Sequence, residues 1–158
     1  MFFYQLKKRI LRRIVPSSLL TYSMRNFVLR QMGVIIGEDT VISHNFKLAD
    51  RAIDKNLLVI GNHVDIAGNV SVLTTTGPMR SKIKNIYPLK AEKVIISDHV
   101  WIGMNATIMN GVTIGECSII GTNCVVDKDV PPYSVAKGNP MQITKMPKVL
   151  IEELKNIK

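Results

Sequence analysis

The most regular feature of the sequence is an aliphatic residue at every sixth position. A glycine often follows it directly, and a small or apolar residue often stands four positions later. The twelve aliphatic positions that share this spacing are Ile36, Ile42, Leu48, Ile60, Ile66, Val72, Ile96, Ile102, Ile108, Ile114, Ile120 and Val126. Neither the period of two of a half-buried strand nor the helical period of 3.6 produces this pattern. It predicts six-residue units that each consist of a short strand and a corner.

Units of this kind predict a left-handed parallel β-helix. Three units would form one triangular coil, and the coils would stack into a prism, because no coil can bury its apolar face alone. The aliphatic residues would point inward, and the glycines would supply the backbone angles that corners need. A chance run of Val and Ile strands in a β-sandwich is the alternative, but twelve positions in phase with only two interruptions favour the β-helix.

The two interruptions of the repeat predict loops. The aliphatic spacing widens to twelve between Leu48 and Ile60, which indicates a small loop around residues 54–56. It widens to twenty-four between Val72 and Ile96, which indicates a long loop at about residues 77–93. Long loops on a rigid scaffold usually serve function or assembly.

The chain divides into three parts on this basis. Residues 1–33 predict a basic helical segment with an internal break, after which Ser17 or Ser18 is expected to cap the second helix. Residues 34–135 form the predicted β-helix with its long loop. Residues 136–158 predict a turn followed by a short amphipathic helix.

Stacked coils would align equivalent residues into columns at the corners. One column consists of asparagines, which tolerate left-handed backbone angles and whose amides can hydrogen-bond along the stack. Its members are Asn45, Asn69, Asn105 and Asn123. The column at another corner contains Asp39, His63, His99 and Cys117. His63 and His99 should therefore stack in neighbouring coils, about 4.8 Å apart along the axis.

Positive charge is concentrated near the N-terminus. The formal net charge is +9, and the residues before Glu38 include seven basic side chains and no acidic one. The basic residues are Lys7, Lys8, Arg9, Arg12, Arg13, Arg25 and Arg30. Such a segment either packs on the body as a solvated helix or makes a peripheral contact with an anionic membrane surface. No aromatic interleaving or reading motif accompanies the charge, so nucleic acid is not an expected partner.

Other features of the sequence favour the cytoplasm. No apolar run approaches the roughly 20 residues of a membrane span. Basic residues interrupt the N-terminus where the apolar stretch of a signal peptide would lie. The two cysteines, Cys117 and Cys124, provide no disulfide framework, which suits a reducing compartment.

Four short motifs lie within the repeat region or directly after it. They are IISDHVWIG at residues 95–103, GVTIG at 111–115, VDKDVPP at 126–132 and GNP at 138–140. Together they resemble motifs of the bacterial hexapeptide-repeat O-acetyltransferases. The chain is similar to the galactoside and maltose acetyltransferases and to the capsule or exopolysaccharide O-acetyltransferases, over about residues 33–146.

The resemblance implies an enzyme that moves an acetyl group from acetyl-CoA to a hydroxyl of a sugar or polysaccharide precursor. It also implies a homotrimer of prisms, with active sites in the clefts between neighbours. In such enzymes a histidine acts as general base toward the acceptor hydroxyl. The base is needed because an alcohol is a poor nucleophile at neutral pH, and imidazole titrates near that pH.

The sequence departs from the family at the position of this histidine. The matching threonine-rich run, residues 73–76, is followed by Gly77. Gly77 lies twenty-four residues before Trp101, which is the separation expected for the family's base. A glycine cannot accept a proton, so another residue must act as the base if the protein is active.

Three histidines remain as candidates for the base. His44 belongs to a column whose later members match family positions along the pantetheine arm of CoA, so it would lie beyond the thiol end. This column consists of His44, Gly68, Met104 and Thr122. His99 belongs to the Asp-His-Val-Trp motif, and His63 occupies a corner position where asparagine is usual. His44 and His99 are the predicted catalytic residues, and a protein in which no histidine is the base is the open alternative.

The resemblance also implies binding residues. Asn45, Asp50 and Trp101 match positions that bind the acceptor or form a wall of the cleft. Five residues match positions that bind the cofactor, two of them lysines near its phosphates: Met104, Gly121, Thr122, Lys128 and Lys145. For the two lysines, a solvated surface position is the alternative interpretation.

Two other functions remain open at this point. Gly77 suits a non-catalytic relative that binds a glycan or a partner. The γ-class carbonic anhydrases share this fold and bind a metal through three histidines. This chain also has three histidines, but their spacing does not match that pattern, so no metal site is predicted.

Overall fold

The computed structural model describes residues 2–51 and 54–157 as three α-helices, one short 3-10 helix and sixteen short strands. The α-helices are α1 (Phe2–Ile14), α2 (Tyr22–Gln31) and α3 (Lys148–Asn156), and the 3-10 helix is Lys82–Asn85. The strands are β1 (Ile35–Ile36), β2 (Val41–Ile42), β3 (Lys47–Ala49), β4 (Leu58–Ile60), β5 (Asp65–Ile66), β6 (Ser71–Leu73), β7 (Thr75–Thr76), β8 (Lys90–Ala91), β9 (Val94–Ile96), β10 (Trp101–Ile102), β11 (Thr107–Ile108), β12 (Thr113–Ile114), β13 (Ile119–Ile120), β14 (Val125–Val126), β15 (Ser134–Lys137) and β16 (Gln142–Lys145).

Three parallel sheets form the sides of a prism. The first sheet has the order β1-β4-β9-β12, and the third has the order β3-β6-β11-β14. The second contains β2, β5, β10, β13 and β15, with β16 added in antiparallel orientation at its end. The strand register aligns equivalent positions of the repeat: Ile60 pairs with Ile36 on one side and with Ile96 on the other. The predicted left-handed parallel β-helix is confirmed.

The inside of the prism is a continuous aliphatic core. Eleven of the twelve predicted inward residues are buried, and Leu48 is partly buried against them. The small or apolar residues near the corners are buried as well: Val64, Val70, Ala106, Val112, Cys124 and Val130. Burial of each Ile or Val side chain contributes roughly 1.5–3 kcal/mol relative to exposure. The stack of coils therefore supplies the core that a single coil lacks.

Corner residues and repeat glycines have separate structural roles. The corner residues have φ between 48° and 63°, in the left-handed region: Asp39, Asn45, His63, Asn69, His99, Asn105, Cys117 and Asn123. The glycines that follow the inward aliphatic residues do not have positive φ, so the prediction that they supply the corner angles is wrong. They are small because the next coil passes close by. A Cβ at Gly37 would lie 2.6 Å from the carbonyl carbon of Gly61, and one at Gly103 would lie 2.7 Å from the nitrogen of Thr122.

The long loop leaves the third side of the prism after β6 and leads to the first side at β9, and its two ends pair as a two-stranded ribbon. β7 and β8 pair in antiparallel orientation, with Thr75 opposite Ala91. The 3-10 helix lies within the loop, and the Ser81 hydroxyl caps it by accepting the Ile83 N–H at 3.3 Å. Ile83, Ile86 and Tyr87 are exposed at the surface of the loop.

The N-terminal helices cover the first coil. α2 packs against β1 and β2, and its Leu29 is fully buried in the core. α2 begins after Thr21, whose hydroxyl accepts the Met24 N–H at 3.3 Å. The predicted cap at Ser17 or Ser18 is therefore wrong, because the Ser17 hydroxyl instead accepts the Leu19 N–H within a local turn. None of the helices in residues 2–51 and 54–157 has the length and apolar character needed to cross a bilayer.

The C-terminal segment folds back over the last coil. β16 returns along β15, and α3 begins directly after Pro147. No residue of α3 is buried. Its apolar side chains line a groove of about 500 Å³ together with outward residues of the second sheet, among them Ile119 and Val135.

Candidate active site

A column of residues connects His44 with the predicted cofactor positions at the corner between the second and third sheets. In successive coils the column consists of His44, Gly68, Met104 and Thr122, each just before a corner asparagine. The N–H of Asn69 donates to the His44 carbonyl at 3.2 Å, and those of Asn105 and Asn123 donate to Gly68 and Met104 at 3.1 Å and 2.9 Å. This ladder of backbone hydrogen bonds holds the column in line.

His44 lies over Gly68 in the next coil. A Cβ at Gly68 would stand 3.4 Å from both Cε1 and Nε2 of the His44 ring. Gly68 itself is buried, whereas His44, Met104 and Thr122 are exposed. Because Gly68 has no side chain, no side chain of the column stands between the imidazole and Met104.

A pocket of about 330 Å³ lies on the other side of His44. The connection between α1 and α2 and the beginning of α2 supply most of its lining, which consists of Ser18, Leu20, Thr21, Tyr22, Arg25 and His44. Its hydroxyl groups resemble those that orient polar ligands in small-molecule sites. These pocket residues could not be predicted from the sequence, because only the fold brings residues 18–25 next to the first coil.

Arg25 holds the wall of this pocket in place. Arg25 is 1% exposed, and its guanidinium donates to the carbonyls of Val15, Ser17 and Ile42 at 3.0, 2.7 and 2.8 Å. A second hydrogen bond holds the same segment: the Asn45 N–H donates to the Pro16 carbonyl at 3.1 Å. The segment opposite His44 is therefore attached to the prism on both sides of His44, at Ile42 and at Asn45.

His99 occupies a different corner, between the first and second sheets. Its ring stacks on that of His63 with centroids 4.9 Å apart and an interplanar angle of 11°, which confirms the predicted stack. The Asp39 carboxylate lies 3.8 Å from Nδ1 of His63. The N–H of Asn62 donates to Asp98 at 2.8 Å and is the main cause of the lowered pKa of Asp98, while burial opposes it. His99 thus belongs to a stacked polar column that is separate from Met104 and Thr122.

Trp101 lies on the outer surface of the second sheet. It pairs in register with Asp65 and Ile119 on the neighbouring strands and is 53% exposed. It comes three residues before Met104 on the same coil. Trp101 can therefore form a wall for a ligand that lies along the Met104 corner.

Asp50 is engaged by α1 in this structure. Its carboxylate forms ion pairs with Lys8 and Arg12, and the Asp50 side chain is 5% exposed. Burial raises the pKa of Asp50, and the two cations oppose that rise only in part. The carboxylate is not open to an acceptor sugar in this arrangement, so we assign Asp50 to the attachment of α1 instead of to acceptor binding.

The predicted cofactor lysines lie at different corners of one prism. Lys128 is exposed on the connection between Val126 of the third side and Val130 of the first. Lys145 pairs with Ser134 where the second side begins, and its Nζ donates to the Pro132 carbonyl at 3.1 Å. A single chain does not bring the two lysines together.

Gly121 lies beneath the C-terminal segment. A Cβ there would be 3.2 Å from Cβ of Lys137, which lines the groove beside α3. Lys145 lines the same groove. The groove therefore lies beside Gly121, the residue before Thr122 in the sequence.

Gly77 leaves no room for the family's histidine. Its φ is +140°, and a Cβ would lie 2.6 Å from Cα of Leu89, the residue before β8. The family's histidine is therefore missing at position 77, and the path of the loop backbone also leaves no space for it.

In the part of the chain that the structure describes, no three or more His, Cys, Asp or Glu residues are grouped so that they could hold a metal ion.

Comparison with known proteins identifies relatives of this chain. Residues 93–128 match the bacterial transferase hexapeptide family (six repeats). The galactoside O-acetyltransferase of Escherichia coli is 36% identical over 99 residues, which are 63% of this chain and 48% of that enzyme. The galactoside O-acetyltransferase of Lactococcus lactis is 35% identical over 104 residues, 66% of this chain and 49% of that enzyme. The chain thus spans about half the length of these relatives.

Solved structures with the same fold cover nearly the whole chain. A hexapeptide-repeat acetyltransferase of Vibrio cholerae superposes with a TM-score of 0.73 at 25% identity, over 91% of this chain and 90% of that one. The maltose O-acetyltransferase of Clostridium difficile has a TM-score of 0.62 at 29% identity, over 91% and 86%. By its repeat, its fold and its sequence, this chain is similar to the hexapeptide-repeat acetyltransferases, including the galactoside and maltose O-acetyltransferases.

Proposed function

We propose that this protein transfers an acetyl group from acetyl-CoA to a hydroxyl of a sugar or glycan, with His44 as the general base. The column that joins His44 to Met104 and Thr122 is the observation that carries the proposal, because it aligns a base with the predicted path of the cofactor. The names of the relatives agree with this activity, and the Vibrio cholerae acetyltransferase has been crystallised with acetyl-CoA.

The proposed reaction uses the two sides of His44. The pantetheine arm would pass Thr122 and Met104, so that the thioester ends beside the imidazole. The acceptor would enter the pocket formed by residues 18–25, where the hydroxyls of Thr21 and Tyr22 can hydrogen-bond to a sugar. Both reactants would then be held at reactive distance in one ternary complex.

His44 would carry one proton through the transfer. It removes the proton of the acceptor hydroxyl while the oxygen attacks the thioester carbonyl carbon, and the carbon–sulfur bond then breaks. The imidazolium returns the proton to the departing CoA sulfur, so that the enzyme ends in its starting state. Asn45 and Trp101 would help to position the acceptor and the acyl end.

A homotrimer is the assembly that we propose for this activity. The anionic nucleotide of one CoA could meet Lys128 and Lys145 together if the two side chains come from neighbouring chains. The exposed apolar residues of the long loop, Ile83, Ile86 and Tyr87, would be buried on a neighbour.

Release of free CoA from acetyl-CoA tests the proposed activity. The protein would be incubated with acetyl-CoA and either a galactoside or maltose, the acceptors that the names of two relatives suggest. We expect acetyl-CoA to bind by calorimetry and at least one acceptor to cause thiol release with a matching gain of acetyl mass. Binding of an acceptor without any binding of acetyl-CoA would instead favour a non-catalytic glycan-binding protein, the second candidate that Gly77 suggests.

A further inference from the structure

The first helix packs Leu11 partly against the core but carries most of its apolar side chains on the face away from the prism. The face toward the prism carries Lys8, which is 1% exposed, and Tyr4, whose hydroxyl donates to the Met32 carbonyl at 2.8 Å. The opposite face carries Phe3, Leu6, Ile10 and Ile14, which are 83, 46, 55 and 39% exposed. A helix that only packs on a core turns its apolar stripe toward that core. α1 turns its apolar stripe outward.

The exposed residues of α1 form one stripe with basic edges. Their spacing of three and four positions puts the four apolar residues on the same side of the helix. Lys7, Arg9 and Arg13 are exposed on either side of the stripe. No acidic residue precedes Glu38, so the segment contains no carboxylate that could neutralise this surface.

The orientation of α1 is held by specific contacts. Lys8 and Arg12 pair with the buried carboxylate of Asp50, and Lys8 also donates to the Arg51 carbonyl at 3.2 Å. Rotating the helix to bury its apolar stripe would break these contacts and leave Asp50 without a countercharge, which is costly. The outward stripe is therefore a built feature of the fold.

We propose that this face of α1 docks on a membrane surface that contains anionic phospholipids. The apolar stripe would enter the boundary between headgroups and acyl chains, while Lys7, Arg9 and Arg13 lie near the phosphates. A second copy of this face fits less well, because pairing it with itself would bring like charges together. A nucleic-acid backbone would leave the apolar stripe without a partner.

Co-sedimentation of the full chain with lipid vesicles tests this proposal. We expect binding to vesicles of phosphatidylcholine and phosphatidylglycerol at about 3:1, with a partition coefficient at least about tenfold above that for phosphatidylcholine alone. Raising the salt to about 0.5 M should weaken the binding, because it screens the charge attraction. The variants Leu6→Ser/Ile10→Ser and Arg9→Gln/Arg13→Gln should each lower the coefficient by about tenfold or more.

Matched variants away from α1 serve as controls. Val149→Ser/Leu150→Ser on α3 removes similar exposed apolar surface, and Lys82→Gln/Lys84→Gln on the long loop removes the same charge, so both should bind vesicles within about twofold of the unmodified protein. Equal binding by the α1 variants and the unmodified protein would overturn the proposal, as would no binding to the anionic vesicles. A smaller assembly for Leu6→Ser/Ile10→Ser in light scattering would also overturn it, because the stripe would then be a subunit contact.

Discussion

Contacts between neighbouring coils determine which residues can occupy positions at the corners of the prism. Asp98 lies two residues after the inward Ile96, and its carboxylate accepts the N–H of Asn62 from the coil before. A Cβ at Gly61 would lie 2.8 Å from the Asp98 nitrogen, so the neighbouring coil also requires glycine there. The inward positions and the stack of His63 on His99 could be predicted from the period of six alone. The reason for the glycines could not, because it depends on the distance between coils.

The hydrogen bond to Asp98 predicts a pH-dependent contribution to stability. Its folded-state pKa is lowered, so the stabilisation is present above the unfolded pKa of about 3.9 and is lost as the pH falls through the folded value. Asp98→Asn should therefore lower the free energy of unfolding by about 1–2 kcal/mol at pH 7 and by much less at pH 3. Urea denaturation at both pH values measures this, with exposed Asp127→Asn as the control. An equal loss at both pH values would contradict the role of the carboxylate charge.

Gly77 predicts strain if a side chain is introduced. Gly77→Ala should destabilise the protein by about 1–3 kcal/mol, because its φ of +140° and the close Leu89 backbone both oppose a Cβ. Gly68→Ala is the matched control, since a Cβ there has ordinary contacts at 3.4 Å. Thermal unfolding compares the two variants. Similar stability of Gly77→Ala and the unmodified protein would show that the loop can move, and that Gly77→His could then restore the family's base.

The elements of the fold differ in how far the sequence predicts them. The strands follow from the repeat, and the ends of the long loop follow from its interruption. The roles of α1 and Asp50 do not, because the partners Lys8 and Arg12 come from a distant part of the chain. The resemblance suggested acceptor binding for Asp50, whereas the ion pairs attach a helix that the repeat pattern does not describe.

Removal of the Asp50 charge should detach α1. Asp50→Asn leaves Lys8 buried without its countercharge, which we expect to cost about 3–5 kcal/mol in the free energy of unfolding. In this variant, the backbone amides of α1 should exchange faster than in the unmodified protein, and the increase should be larger in α1 than in the last coils. Because burial raises the folded-state pKa of Asp50, the stability that its titration contributes falls as the pH rises from the unfolded to the folded pKa. The variant and the unmodified protein are therefore compared at the same pH. Protection of α1 equal to that in the unmodified protein would contradict the proposed attachment.

At the scale of the whole molecule, the proposed trimer would bury the apolar residues of the long loop and bring together Lys128 and Lys145 of neighbouring chains. Light scattering should give three times the mass of the chain at micromolar concentration, and a monomer would contradict the proposed assembly. Ile86→Glu/Tyr87→Glu should shift the equilibrium toward the monomer, because these exposed apolar residues would no longer be buried favourably on a neighbour. The sequence predicts an outward apolar set in this loop, and the structure exposes three of its members, Ile83, Ile86 and Tyr87, whereas Leu89 is partly buried.

The separated lysines predict the charge dependence of cofactor binding. Lys128→Glu/Lys145→Glu should weaken acetyl-CoA binding by about tenfold or more and reduce its dependence on salt, because both charges would face the phosphates. Arg9→Glu/Arg13→Glu makes the same charge change on α1 and should leave the affinity nearly unchanged. Calorimetry at low and high salt measures both variants. If both double variants weakened acetyl-CoA binding equally, the affinity would depend on the net charge of the protein and not on a phosphate site at Lys128 and Lys145.

The turnover of His44→Ala tests the proposed mechanism most directly. With the acceptor that gives thiol release, turnover should fall roughly 10²- to 10⁴-fold while acetyl-CoA affinity stays nearly intact. His63→Asn and His99→Asn are the controls, because asparagine tolerates the left-handed corner angles that both histidines adopt; we expect them to retain most of the turnover. Full turnover in His44→Ala, with loss in His99→Asn, would contradict the assignment and move the chemistry to the stacked histidines.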